Sequence, residues 1–328
     1  MKDLMLKKFN ESSRFLDPRK EFMENEQEIE IRIDPVTGVI SRINMNRVLR
    51  PKQKIDELKY SCDYCPFCPD NIERDTPKFT REYFEEGRIK VGGAMVFPNL
   101  FPLAELHGVC VFTPKHKLNI IEIDENEIFD GLRASMEFFL IGRRKNLLYH
   151  FLGWNHLSSA GASILHPHFQ LICSRVGLNY ERIIFEASER YWKEKGKSYW
   201  RELMKDEERY IGESEGITWI APWAPMGNFE VIGISTEGIS SIMRSNALRG
   251  IASGIVKILK AFWSLGIRSI NMGVFSYPEQ KEWFSFHIRI IARSDSPNDR
   301  GFLEIFCGEI GVLAPPEIYS KYIRNFFK

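Results

Sequence analysis

Charge of one sign is missing from this sequence: 45 Lys and Arg stand against 44 Asp and Glu in 328 residues, a formal balance of +1. A dedicated nucleic-acid binder normally carries a basic excess, so no nucleic-acid partner is expected. Long apolar runs are missing too. The most apolar stretch, Ala247 to Ile267, is interrupted by Arg249, Lys257 and Lys260, so no membrane span is expected. The N-terminus, Met1 to Asn10, alternates Lys with Leu and lacks the apolar core and cleavage site of a secretory leader. No glycine-rich phosphate loop of either standard spacing occurs. Six cysteines, three of them bunched, do not make a disulfide framework, and a reducing cytoplasm with a metal site fits them better. What is present is a globular composition, 44% hydrophobic and 27% charged, in a chain long enough for about two domains.

The pattern along the chain repeats. Glu28 to Ile33 alternates, meets the turn cluster Asp34 to Gly38 and continues in Val39-Ile40, which predicts a hairpin. Cys62 to Pro77, rich in Cys, Pro, Asp and Asn, reads as loop. Strands are expected at Lys90 to Phe97 and Gly108 to Thr113, and Asp124 opens a helix to about Arg144. Two more strands follow, Leu147 to Trp154 and His166 to Ser174, then a charged helical region at Asn179 to Lys205. The second half has strands at Ile217 to Ala221 and Phe229 to Ser235, and a helix at Asn246 to Leu265. Strands at Ile270 to Phe275 and Phe284 to Ala292, and a terminal helix within Pro315 to Lys328, complete it. Strand, strand, helix, strand, strand thus occurs twice. This favours an α+β fold of antiparallel sheets over a doubly wound one, with the boundary in the polar stretch Asp206 to Ser214.

Two constellations carry chemistry. In His166-Pro167-His168-Phe169-Gln170, residues two apart share a strand face, so His166, His168 and Gln170 project together while Phe169 and Leu171 turn to an apolar side. The proline places this run at a strand start or edge, suited to lining a cleft. The alternative is a polar surface strand, or core histidines bonded to backbone. In Cys62-Asp63-Tyr64-Cys65-Pro66-Phe67-Cys68, a Cys-x-x-Cys turn fits two ligands of a tetrahedral zinc. No second Cys-x-x-Cys lies elsewhere, so histidines must complete such a site, with His116 and His166 as candidates. An iron–sulfur loop and inert structural thiols are the competing readings.

Cys65-Pro66-Phe67-Cys68-Pro69-Asp70-Asn71, Val96-Phe97-Pro98-Asn99, Thr113-Pro114-Lys115-His116 and Gly161-Ala162-Ser163 through Gln170 come in the order and rough spacing of galactose-1-phosphate uridylyltransferases. Asp34 to Gly38 followed by Arg47-Val48-Leu49-Arg50-Pro51 resembles that family's N-terminal hairpin and Arg-x-x-Arg-Pro segment. The family is the two-domain transferase branch of the histidine-triad superfamily. The resemblance covers nearly the whole chain and is stronger in its first half. It implies two histidine-triad-like domains, 1–205 and 206–328, each an antiparallel half-barrel sheet with helices packed on it. It implies that His168 attacks the α-phosphorus of a nucleotide sugar and that a hexose 1-phosphate accepts the nucleotide. It places Gln170 on the phosphoryl oxygens, Ala162 and Ser163 at the loop meeting them, Arg47 and Arg50 on the diphosphate, and Asn99 and Asn155 toward the nucleotide. It assigns a structural zinc to Cys65, Cys68, His116 and His166, with Cys62 as a thiol able to replace one of the other two. A homodimer in the cytoplasm is also implied.

The second half departs from the family. Where a His-x-His strand is usual, Phe284-Ser285-Phe286-His287-Ile288-Arg289 has one histidine, so no second metal is expected and His287 reads as structural. Ile305-Phe306-Cys307-Gly308-Glu309-Ile310 does not reproduce the residues that hold the hexose, which leaves the sugar open. The alternatives are therefore a nucleotide-sugar phosphorylase or histidine-triad hydrolase using the same His168, and a zinc-stabilised binding protein without catalysis.

Overall fold

The computed structural model describes residues 7–49, 64–116, 119–237, 247–293, 308 and 311–328, with side chains throughout except at 48 and 49. Three strands, β1 (Lys7–Asp17), β2 (Met23–Ile33) and β3 (Ile40–Ile43), form a small antiparallel sheet in that order. The expected hairpin is the β2–β3 pair, with Ile33 opposite Ile40. The other strands make one ten-stranded sheet. The first half contributes β4 (Ile89–Val91), β5 (Ala94–Pro98), β6 (Leu106–Val111), β8 (His168–Ser174) and β7 (Tyr149–His156), side by side in that order. The second half continues it with β12 (Ser269–Phe275), β13 (His287–Arg293), β11 (Asn228–Ile234), β10 (Ile217–Ile220) and β9 (Tyr210–Ser214). The seam is the antiparallel pair β7–β12, where Gly153 faces Gly273. The α+β class read from the sequence is the one found.

The two faces of this sheet differ. Helices α2 (Glu125–Arg144) and α5 (Ala247–Ser264) cover one face, burying Leu132, Phe138, Ile255 and Phe262 with Phe169 and Leu171 in a shared core. Helix α2 starts where its sequence says it should. The Asp124 side chain accepts from the Glu127 N–H and the Glu127 side chain accepts from the Asp124 N–H, each at 3.0 Å, a reciprocal cap. On the opposite face, α3 (Asn179–Lys195) and α4 (Tyr199–Leu203) cover the second half through Phe185 and Trp200. Over β5 and β6 of the first half, the segment of Cys65, Phe67 and Ile72 packs on Phe97 and Val109 in a smaller cluster. That lighter cover leaves room for a site.

Three local expectations need correction, and one strand is additional. Within Cys62 to Pro77, read as loop, residues Pro69–Asp75 form helix α1, whose proline sits at a helix start and not in a breaker. Lys90 to Phe97 is two strands, because Gly92 at φ +55° turns the chain back between β4 and β5. Asp206 to Ser214 is not simply a polar boundary, since Tyr210–Ser214 pairs with β10 through the Glu215-Gly216 turn and fully buries Ile211. Strand β1 was not expected, although Phe15 on it is fully buried. A terminal helix α6 (Pro316–Arg324) forms as read. No described helix is long and apolar enough to cross a membrane.

Where the small sheet meets α3, one carboxyl is held in an unusual state. Glu181 is 1% exposed; one of its oxygens accepts from the Leu178 N–H at 2.8 Å and the other has no hydrogen-bond partner. Burial pushes its pKa up to about 7, against the opposing pulls of the Leu178 N–H and the Arg42 charge. The folded protein thus keeps a proton that the unfolded chain releases near the ordinary carboxyl value of 4.5. The stabilising contribution is complete below the unfolded pKa and is lost as pH rises through the folded one, amounting to ~3 kcal/mol at most. Urea midpoints at pH 5 and pH 8 should fall more for the wild type than for Glu181→Gln. Equal falls in both proteins would refute the assignment.

Candidate functional site

Three segments converge on four soft or borderline donors. Cys65 and Cys68 lead into α1, His116 follows β6, and His166 stands two residues before β8. Their ligand atoms all lie within 4.8 Å of one another. Cys68 Sγ is 3.4 Å from His116 Nδ1 and 3.7 Å from His166 Nδ1, and Cys65 Sγ is 3.8 Å from His166 Nδ1. The sulfur–nitrogen edge of a tetrahedron built on zinc bond lengths is ~3.5 Å, so the spacing fits. His166 Nε2–H donates to the Thr113 carbonyl at 2.8 Å, which leaves Nδ1 as the ligating nitrogen. Burial pushes the His166 ring down to about 4, keeping it in the neutral form that ligation needs. His116 Nε2 is buried without a hydrogen-bond partner, and burial lowers that ring as well. The four residues can hold a metal ion.

Beside this centre, on the same sheet face, is a cavity of about 580 Å³. Its floor is β8, because alternation sends Phe169 and Leu171 into the core and turns His168 and Gln170 the other way. His168 Nδ1–H donates to the His166 carbonyl at 2.8 Å, so in the neutral ring the lone pair lies on Nε2. Phe67, between the two metal-loop cysteines, meets the His168 ring edge-on at 5.2 Å. Gln170 Oε1 accepts from Asn99 Nδ2 at 3.0 Å and from His107 Nε2 at 2.8 Å. With its carbonyl end engaged twice, the amide of Gln170 is oriented as a donor. Phe67, Phe97 and Phe101 give the cavity flat apolar walls, and Arg19, Asp75 and Ser163 add polar groups.

The structure divides the expected site residues. His168, Gln170, Asn99 and Ser163 meet in the cavity. Ala162 is buried nearby, its N–H donating to the Leu157 carbonyl at 3.1 Å. Arg47 does not line the cavity but reaches the loop that does, donating to the Phe101 carbonyl at 2.7 Å. Asn155 also lies off the cavity lining, exposed on β7, and accepts from Asn271 Nδ2 at 2.7 Å across the seam. Arg50, Cys62 and the stretch 305–310 apart from Gly308 fall outside the described residues. His107 and Arg19 were not anticipated. A lone histidine in the otherwise apolar strand Leu106–Val111 was the available signal for the first. Arg19 is held by Asp17 at 2.7 Å and stacks over the Phe101 ring, and no motif marked it.

The counterpart strand in the second half is closed. His287 Nδ1–H donates to the Ser285 carbonyl at 3.0 Å, as His168 does to its own neighbour. Trp200 stacks on the His287 ring at 3.9 Å and Phe275 on its other neighbouring position at 5.1 Å, so aromatic rings fill the space that the first half leaves open. Burial holds the His287 ring well below its usual value. Arg289 pairs with the buried Glu230.

No protein-family model matches the chain. It is 32% identical over 313 residues to an uncharacterized protein of Archaeoglobus fulgidus, an alignment spanning 92% of this chain and 93% of that protein. Among solved structures it resembles a uridylyltransferase at a TM-score of 0.72 and 18% identity, covering 90% of this chain and 98% of that one. It resembles an ADP-glucose phosphorylase from Arabidopsis thaliana, with bound ADP-glucose, at 0.69 and 22% identity over 90% of this chain and 98% of the other. The chain therefore belongs to one family with the Archaeoglobus fulgidus protein, and its fold is that of the galactose-1-phosphate uridylyltransferase-like proteins.

Proposed function

We propose that this protein is a nucleotidyltransferase working by double displacement through a nucleotidyl-histidine at His168. The observation that carries the reading is the pairing of His168 and Gln170 on one cavity-facing strand, with Nδ1–H of His168 given to the His166 carbonyl. That hydrogen bond puts the nucleophilic lone pair on Nε2. Nε2 attacks the α-phosphorus of a nucleoside diphosphate sugar; the phosphorus–nitrogen bond forms as the phosphorus–oxygen bond to the β-phosphate breaks, releasing sugar 1-phosphate. A hexose 1-phosphate oxygen then reverses the sequence. The Gln170 amide donates to the phosphoryl oxygens where charge develops. In the same reading Ser163 and Ala162 meet those oxygens, Arg47 and Arg50 serve the diphosphate, and Asn99 and Asn155 serve the nucleotide. Zinc is the metal proposed for Cys65, Cys68, His116 and His166, since two thiols and two imidazoles in a tetrahedral array suit it, and its part is to brace the strand start. The reading includes a cytoplasmic homodimer, each chain of which has two histidine-triad-like domains, 1–205 and 206–328.

The fold shared with a uridylyltransferase and an ADP-glucose phosphorylase supports the transfer reaction but not one base or acceptor. Incubation with nucleotide-labelled UDP-glucose and ADP-glucose tests both. The expected result is protein-bound label that is lost in acid and survives base, as a phosphoramidate does. Chasing that label with galactose 1-phosphate should give a nucleotide sugar, whereas nucleoside diphosphate formed only with inorganic phosphate would identify a phosphorylase. No bound label from either substrate would leave the binding-protein reading standing.

A further inference from the structure

The loop between β5 and β6 hangs from the small N-terminal sheet by its own backbone. Gln27 Nε2 donates to the Leu100 carbonyl at 3.1 Å, and Arg47 Nη1 to the Phe101 carbonyl at 2.7 Å. Asn44 Nδ2 donates to the Pro102 carbonyl at 2.9 Å, and Arg42 Nη1 to the Leu103 carbonyl at 3.1 Å. The carboxylate of Glu11 accepts from the Glu105 N–H at 3.0 Å. Four consecutive carbonyls and one N–H are thus each matched to a different side chain of the small sheet and the turn after it. Gln27, Asn44 and Glu11 are all buried, and Asn44 also donates to Gln27 Oε1 at 2.9 Å. A loop that needed only solubility would have left these groups to water.

What the loop carries is the reason. Asn99 Oδ1 accepts from the Phe101 N–H at 2.8 Å, while its Nδ2 donates to Gln170. The Leu103 N–H donates to His107 Nδ1 at 3.0 Å, which forces the proton of that neutral ring onto Nε2, the atom that donates to Gln170. We infer that the N-terminal sheet is a positioning device for the cavity: through the Leu100–Leu103 backbone it fixes the tautomer of His107, and His107 with Asn99 fixes which end of the Gln170 amide faces the reacting phosphate. This inference rests on the nucleotidyl-transfer reading for its kinetic consequence. Gln27, Asn44 and His107 are positioning residues, because they act through Gln170 and the loop.

Gln27→Met and Asn44→Leu are close to isosteric and remove donors to the loop. Each is expected to lower kcat at least about tenfold with KM changed less than about threefold, since a misaimed donor is lost mainly in the transition state. His107→Phe should behave alike, and His107→Gln, whose amide can still donate to Gln170, should recover most of the loss. Metal content should be unchanged in all four, since none of the substituted residues is among the four donors. Nitrogen-15 spectra of histidine-labelled protein supply a readout independent of turnover. His107 should be the Nε2–H tautomer in the wild type and a tautomer mixture in Asn44→Leu, with Gln27→Met carrying the measurement if Asn44→Leu does not fold. Wild-type protein without a labelled intermediate would count against the transfer reading alone, and the tautomer shift would still decide the positioning. An unchanged tautomer, or kcat and KM both as in the wild type, overturns the inference.

Discussion

His168→Asn is expected to carry no bound nucleotide label and to turn over at least about 10⁴-fold more slowly than the wild type, with nucleotide affinity within about threefold. The size of the first effect follows from the loss of the nucleophile itself, a class of deletion that removes several orders of magnitude from kcat. The smallness of the second follows from geometry. An asparagine amide N–H can keep the hydrogen bond that His168 Nδ1–H gives to the His166 carbonyl, so the start of β8 keeps its anchor. The aromatic walls Phe67, Phe97 and Phe101 are untouched. Single-turnover release of label and calorimetric titration with UMP and AMP separate the two quantities. A variant that keeps more than about one hundredth of wild-type turnover would remove His168 from the chemistry.

The parts of this molecule that could be read in one dimension are those with a local period or a local cap. Helix α2 announced itself by Asp124 and Glu127, and the structure places both halves of that cap. Strand β8 announced itself by alternation, with Phe169 and Leu171 inward and Gln170 outward. His116 and His166 were legible as candidate partners because a Cys-x-x-Cys turn demands them and the chain has only seven histidines, while the full set with Cys65 and Cys68 rested on the family resemblance. The rest depends on contacts between distant residues. Nothing local distinguishes Asn44 as a residue that will hold the carbonyl of Pro102, 58 positions away. A side chain bonded to a remote backbone leaves no period behind it. Asn155 shows the converse. The family resemblance turned it toward the nucleotide, while the seam between the halves puts Asn271 opposite and engages its carbonyl, a contact that no local pattern announces. The seam also explains why two sequence repeats make one sheet: β7 and β12 close with Leu152 opposite Val274 and Trp154 opposite Met272, a buried apolar zipper.

Withdrawing the metal should cost more than any single substitution outside the cavity, because the centre ties the segment of Cys65 and Cys68 to the paired strands β6 and β8, on which that segment otherwise packs through a small apolar cluster. Dialysis against a strong chelator, or Cys68→Ser, is expected to lower the melting temperature by on the order of 10 °C. The physical argument starts from the cover of the first half-sheet. Cys65, Phe67 and Ile72 belong to a small apolar cluster with Phe97, Val109 and Val111, much less than the core under α2 and α5. Such a cluster alone would hold the segment weakly, and bringing two thiols and two imidazoles together without a metal adds buried polar groups with incomplete partners, His116 Nε2 among them. The same loss should reach the chemistry, since Phe67 lies between the two cysteines and packs edge-on against His168. A displacement of that wall by about an ångström would slow label formation by about 100-fold. Adding one equivalent of zinc to the chelated protein should restore both properties together, whereas Cys68→Ser should respond to neither chelator nor zinc. Thermal unfolding followed in parallel with metal analysis makes the comparison. Purified protein that holds less than a tenth of an equivalent of metal, yet melts at the same temperature with and without added zinc, would show that the four donors are only neighbours.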